Sequence, residues 1–258
     1  TGSISHKILL ANTSSPLAPV GKAEKVNFRH INPELVNYII LSNKRLINEL
    51  AAPKQYAAYR ASAAGGGYDT LLVYIDDIIN QYHYGEYSPN AIKRFVSHLT
   101  SAPNPKHMLI LGKGIEYNRI SYRNATQRLL DLVPTGGRPA SDAIFAMDYR
   151  NNNFKLSMPI GRVSATTATD IVNYLNKVKE YEAVPDGVDW RKNILQLGGG
   201  KSLGEMSQIA AYLRSYARIA QGPLLGATII EKYRQNVSEV VEVVNVSEEL
   251  NKGLSMIT

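Results

Sequence analysis

The sequence predicts an α/β fold built on a parallel sheet. Three observations lead there. Short runs are apolar throughout, as in strands covered on both faces. Amphipathic stretches with helical spacing separate them. Glycine or proline stands where one kind of segment gives way to the next.

Residues 1–36 read as a lead-in from a preceding module, with Ile8 to Ala11 fitting an edge strand and Asn12 to Gly21 a Ser/Pro-rich loop. Tyr38-Ile39-Ile40-Leu41 is the first buried strand. Ser42 or Asn43 can cap a helix from Lys44 to Leu50, which Pro53 restarts as Gln55 to Ala61. Gly65-Gly66-Gly67 breaks the chain before a second strand, Thr70 to Tyr74. Asp76 and Asp77 then open a polar, tyrosine-rich loop with Tyr82, Tyr84 and Tyr87. Ser88-Pro89 is an N-cap with proline at the first helical position, and Ala91, Ile92, Phe95, Val96 and Leu99 form the inner face of the helix that follows. Met108 to Leu111 is a third strand, closed by Gly112-Lys113-Gly114.

Ile144 to Ala146 and Leu156 to Met158 are expected to add strands, the second from the alternation of Phe154, Leu156 and Met158 against Lys155 and Ser157. Pro159 ends the pairing, Gly161-Arg162 turns, and Thr167 with Asp170 caps a helix to Glu182. Its inward stripe is Ile171, Tyr174, Leu175, Val178 and Tyr181. Pro185-Asp186-Gly187 is the expected seam between units at 37–185 and 186–258. The pattern then restarts. Asn193 to Leu197 is a strand, Gly198-Gly199-Gly200 a turn, and Leu203 to Ala220 a helix with Met206, Ile209, Ala210, Leu213 and Ala217 inward. Gly226 to Ile230 reads as a strand and Val240 to Val244 as another apolar run. Ser247 caps Glu248 to Lys252, and Leu254 to Ile257 begins a strand that is expected to continue past Thr258.

The 258 residues carry 44% hydrophobic and 20% charged side chains, the balance of a folded domain rather than a disordered chain. No apolar run reaches the roughly 18 residues of a membrane span. The net charge of +7 is spread over pairs such as Lys44-Arg45, Lys93-Arg94 and Arg191-Lys192, so no nucleic-acid surface is expected. There is no cysteine. A disulfide, a thiolate metal site and a cysteine nucleophile therefore cannot come from these residues.

Leu197-Gly198-Gly199-Gly200-Lys201-Ser202 joins a strand to a helix through a glycine turn. A phosphate loop needs another glycine earlier, where Leu195 stands, so this is better read as a bare turn beside a cleft at the strand's carboxyl end. Gly112-Lys113-Gly114 lacks the third glycine of a dinucleotide fingerprint, since Tyr117 takes its place. His6, His30, His83, His98 and His107 show no metal-ligand spacing, and no metal or cofactor is expected. Ser141-Asp142 and Asp148 are loop acids of the kind that form turns and can ligate cations.

Several of these pieces together resemble the gingipain family of cysteine peptidases: Ile160-Gly161-Arg162 before a capped helix ending Lys179 to Glu182, then Trp190 and a strand, with Ser141 to Phe145 and Met108 to Leu111 upstream. Tyr38 to Asn43, Tyr59 to Ser62 and Tyr84 to Glu86 are similar to the PorU-type branch, the signal peptidases or sortases of type IX secretion. The resemblance covers about Asn37 to Thr258 and marks Asp142, Gly161 and Arg162 as a structural motif. It implies a caspase-like catalytic region, its first sub-domain complete and its second truncated. It also implies an exported protein acting on protein or peptide substrates at the periplasm, outer membrane or cell surface, with an outer-membrane secretion component as partner. The segment Leu250 to Thr258 is similar to the one that runs into the family's Gly-His-Gly motif, so the catalytic His and Cys are expected beyond Thr258, and none here. Gly198, Gly199, Gly200 and Lys201 are expected to border the substrate cleft. Two departures stand out. Gly198 occupies about the place of a family acid near the histidine, and Lys113 replaces an acid linked to a family calcium site. A non-catalytic scaffold module of a secretion machine and a nucleotide-binding α/β protein are the rival readings.

Overall fold

A computed structural model describes residues 25–48, 50–104, 106–116, 124–148, 154–185, 187–237 and 243–258. Two compact units divide the chain, Thr1–Leu175 and Asn176–Thr258. Each contains a wholly parallel sheet among its described strands.

In the first unit, β1 (Tyr38–Ser42) lies between β2 (Thr70–Tyr74) and β3 (His107–Leu111), and β4 (Ile160–Val163) pairs with β3. The order β2-β1-β3-β4 places a topological switch point between β1 and β3. Ile39, Ile40, Leu41, Ile110 and Leu111 are buried, as their unbroken apolar runs require. One face is covered by α2 (Ile75–His83) and α3 (Pro89–Leu99), whose Ile75, Ile78, Ile92, Phe95 and Leu99 join the core with Ile39 and Leu41. The other is covered by α1 (Ala52–Ala61), through Tyr56, and by the start of the helix after β4, through Ile171 and Leu175. Ser88 caps α3 as expected, its Oγ accepting the Asn90 N–H at 3.2 Å.

The structure corrects several expectations in this unit. Lys44 to Leu50 is not a helix. A 3-10 turn, Lys44–Leu46, is capped by Asn43, and the chain then passes through left-handed Asn48 and Ala51 to α1. The stretch from Asp76 to Tyr82 is helical rather than looped. Ile75, Ile78, Ile79 and Tyr82 share a face there, and Tyr82 packs on Phe95 and His98. Asp142–Phe145 is a 3-10 turn and Phe154 to Met158 is not a strand. The alternation there misled, because Phe154 and Leu156 are exposed while Met158 is buried. Pairing instead begins after Pro159, whose carbonyl accepts the Met108 N–H at 3.0 Å. Gly161 and Arg162 are therefore residues of β4, in register with Leu109 and Ile110, not a turn.

In the second unit, β5 (Asn193–Gly198) is central, with β6 (Thr228–Tyr233) on one side and β7 (Met256–Ile257) on the other. Helix Leu203–Ala220, labelled α4 here, has the predicted bounds, and of its expected inward face Ala217 is fully buried and the rest partly so. The strand expected at Gly226 to Ile230 starts two residues later and runs on to Tyr233, because Gly222 to Gly226 closes a turn with Gly226 N–H donating to the Gly222 carbonyl at 2.8 Å. Helix Ser247–Lys252 starts with Ser247 inside it, and its N-cap is Val246. Gly253, at φ 90°, ends it as expected. Val243 and Val244 are exposed and irregular, while Ile8 to Ala11, Tyr117, Asp186 and Val240 to Glu242 lie outside the described residues.

Candidate functional site

Open parallel sheets bind ligands outside the carboxyl ends of their strands, at the switch point. The molecule has one such place in each unit, and their fates differ.

In the first unit the chain fills it. Ser42 Oγ donates to the Leu111 carbonyl at 3.0 Å across the β1/β3 gap, and Asn43 Nδ2 to the Leu132 carbonyl at 2.7 Å. Leu132 and Val133, both buried, return their N–H groups to the Lys113 carbonyl. Arg162 then closes the rim. Its Nε and Nη2 bind the two carboxylate oxygens of Asp142, each at 2.7 Å. Nη1 donates to the carbonyls of Gly112 at 2.7 Å and Val133 at 2.8 Å, and Nη2 also to that of Pro134 at 3.2 Å. Thr135 Oγ1 supplies a further donor to Asp142 at 3.0 Å. Asp142 is thus a clamp for three loops, and both its oxygens serve the Arg162 guanidinium rather than a metal ion. Gly112 and Gly114 permit this closure. Gly112 sits at φ 150°, and a side chain at Gly114 would stand 2.9 Å from the Val133 carbonyl oxygen.

In the second unit the switch point lies between β5 and β7, where Leu197 N–H donates to the Thr258 carbonyl at 2.8 Å. From there the chain leaves β5 through Gly198, Gly199 and Gly200. A side chain on Gly198 would strike the Tyr233 ring at 2.6 Å, and one on Gly200 the Met206 N–H at 2.7 Å, with φ at 148°. Gly199 has no atom within 4 Å of that position, so its backbone borders open space. A cleft of about 260 Å³ is lined by Leu197, Gly198, Gly199, Lys232, Arg234 and Val244. Arg234 holds the turn, its N–H donating to the Gly198 carbonyl at 2.8 Å and its Nη1 to the Gly200 carbonyl at 3.1 Å. Lys232 Nζ pairs with Glu249 at 2.7 Å, and this holds the Glu249 carboxyl below its ordinary range. Beneath the turn, buried Gln196 receives the Tyr233 hydroxyl at 2.9 Å and donates to the Leu213 carbonyl at 3.1 Å.

Gly198 and Gly199 are therefore among the residues lining this cleft, and Gly200 and Lys201 lead on from them into α4. Lys201 serves the start of α4 instead. Its N–H donates to Glu205 Oε2 at 2.7 Å, and Ser202 Oγ accepts the Glu205 N–H at 3.2 Å. A carboxylate already occupies the place where a phosphate would have to sit, which argues physically against nucleotide binding. The Ser202-x-x-Glu205 spacing is that of a capping box, a signal legible in the sequence. Arg234 and Lys232 had no such signal, because only the β5/β6 register brings them to the glycines.

A larger cavity, about 500 Å³, lies against α3 and is lined by Lys93, Phe145, Asp148 and Lys155. No residue of β1 to β7 lines it, so it lies away from the strand ends that the smaller cleft borders. Of the histidines, His98 Nδ1 lies 2.6 Å from the Tyr82 hydroxyl, His83 contacts Arg94 and Glu86, and His107 stacks near Tyr38 and Tyr68. Among the described residues no three His, Asp or Glu side chains are grouped to hold a metal ion.

Two parallel α/β units, one with its switch point plugged and one with a glycine turn beside an open cleft, define a layered α/β protein. The family model of peptidase family C25 matches residues 31–258, and the chain belongs to that family of cysteine peptidases. No curated protein matches the chain. Among solved structures, dimeric latent PorU from Porphyromonas gingivalis is similar, with 20% identity and a TM-score of 0.47, over 60% of this chain and 16% of that one. The family match, not this structural likeness, carries the assignment.

Proposed function

We propose that these residues build part of the catalytic region of a cysteine endopeptidase or transpeptidase of the gingipain family, of the sortase-like type that processes proteins in type IX secretion. The observation that carries this reading is the β5/β7 switch point, which presents the Gly198–Gly199 turn and the end of β7 on one edge, in a chain of family C25. In this reading the turn borders the peptide-binding cleft and none of the residues here is catalytic. With no cysteine in the 258 residues, the nucleophile has to come from elsewhere in a longer polypeptide. In this reading the histidine follows shortly after β7, next to the turn. There the His would take the proton from a Cys thiol. The thiolate would attack a peptide carbonyl and expel the amine, and water or a second amine would release the acyl group. The protein is exported in this reading, acts on protein substrates, and meets a secretion component at the outer membrane.

The purified 258-residue chain should cleave no fluorogenic peptide. A polypeptide extended through the downstream sequence should do so, and iodoacetamide should abolish it. Cleavage by the 258-residue chain itself, with contaminants excluded, would refute the proposed division of catalytic labour. An extended polypeptide that has no reactive cysteine would refute the peptidase reading.

A further inference from the structure

The amino end of the second sheet carries a feature that cleft and catalysis leave unused. Helix α4 ends at Ala220, and a tight turn leads to β6 at Thr228. The turn is well made. Leu225 and Gly226 N–H groups both donate to the Gly222 carbonyl, and Ala227 N–H donates to that of Ala220. Yet it holds Leu224 fully exposed and Leu225 47% exposed, with Ile219 at 77% and Tyr216 at 62% beside it on the helix. A strand added beside β7 would lie across β5 from this turn and could not cover it. Two cations flank the apolar tip. Lys192 Nζ lies 3.9 Å from where a Gly226 side chain would be, and Arg218 stands in the last turn of the helix, its Nε donating to the Arg214 carbonyl at 3.4 Å. Among the described residues no acid pairs with either.

We infer that the Leu224–Leu225 turn inserts into the interface of an anionic lipid bilayer, with Lys192 and Arg218 on the headgroups and Tyr216 at the apolar boundary. Charge selects this occupant, since exposed cations with no acid partner among the described residues, beside protruding leucines, match an anionic headgroup layer over hydrocarbon. Shape agrees. A protein interface needs a broad complementary surface of about 800 Å² per partner, whereas two leucines on a projecting turn suit shallow insertion. Bound in this way, the cleft at the opposite, carboxyl end of the same sheet would face away from the lipid.

The absence of cysteine allows a clean test. A Leu224→Cys variant carrying an environment-sensitive dye is mixed with vesicles of phosphatidylcholine plus phosphatidylglycerol, or of phosphatidylcholine alone. The emission should shift to the blue with the anionic vesicles only, and less so as salt is added. Unlabelled chain should co-sediment with the anionic vesicles. Leu224→Ser with Leu225→Ser should weaken this by at least about tenfold, because the leucines supply most of the apolar burial. Lys192→Glu should also weaken it, whereas Leu203→Ser, at a 67% exposed site at the other end of α4, should not. The inference fails if no vesicle shifts the dye, if binding survives the double substitution, or if the shift appears on concentrating the chain without vesicles, as self-association would give. The readout needs no catalysis, so it stands or falls separately from the peptidase reading.

Discussion

Arg162 shows how much one side chain can organise. It binds both oxygens of Asp142 and the carbonyls of Gly112, Val133 and Pro134, and the pair is largely buried. Removing one partner of such a pair leaves the other charge uncompensated. Arg162→Ala should therefore cost about 3 kcal/mol or more, measured by denaturant unfolding followed by circular dichroism. Arg162→Lys should recover little, because one ammonium cannot span two carboxylate oxygens and three carbonyls. The family resemblance had singled out both Asp142 and Arg162. That they touch each other, 20 residues apart in the chain, became visible only in the folded unit.

At the scale of elements, helix Ala168–Ala183 formed where its signals said it would. Thr167 Oγ1 accepts the Asp170 N–H at 3.3 Å, while Asp170 Oδ2 accepts the N–H groups of Thr166 and Thr167, each at 2.9 Å. These backbone hydrogen bonds, Thr166's first, pull the Asp170 carboxyl below its ordinary value. A carboxylate depressed in the folded state stabilises fully above its unfolded pKa, and loses that contribution as pH falls through the folded one. Asp170→Asn should thus lower stability at neutral pH and flatten its decline below about pH 4. Urea midpoints measured across that range check this, and an unchanged acid limb would sink it. The capping box is local, so the sequence displayed it. The strand before it was not. Alternation suggested 154–158, but Ile160–Val163 is the segment that Met108 to Leu111 selects as a partner.

Across the whole molecule, burial is unequal. The first unit holds two apolar clusters that cover both faces of its sheet. Among the described residues of the second unit, the buried side chains are Ile194, Leu195, Gln196, Ala217 and Ala227. The second unit should therefore unfold first, and the single tryptophan, Trp190, lies in it. Its emission should change at lower denaturant than the far-ultraviolet circular dichroism, which is dominated by the larger unit. Coincident transitions would show that the units unfold as one.

The sequence by itself determined the class of fold, the three apolar strands of the first sheet, the inner face of α3, the full extent of α4 and the caps at Ser88 and Thr167. Each is written in neighbouring residues, as a run, a helical period or a side chain that meets its own backbone. Tertiary structure alone decided which strands pair, and hence where β4 lies. It also decided that the first switch point is shut by Arg162 and Asp142, and that the glycine turn after β5 meets Lys232 and Arg234. Those outcomes rest on contacts between residues far apart in the chain, whose geometry no local pattern encodes.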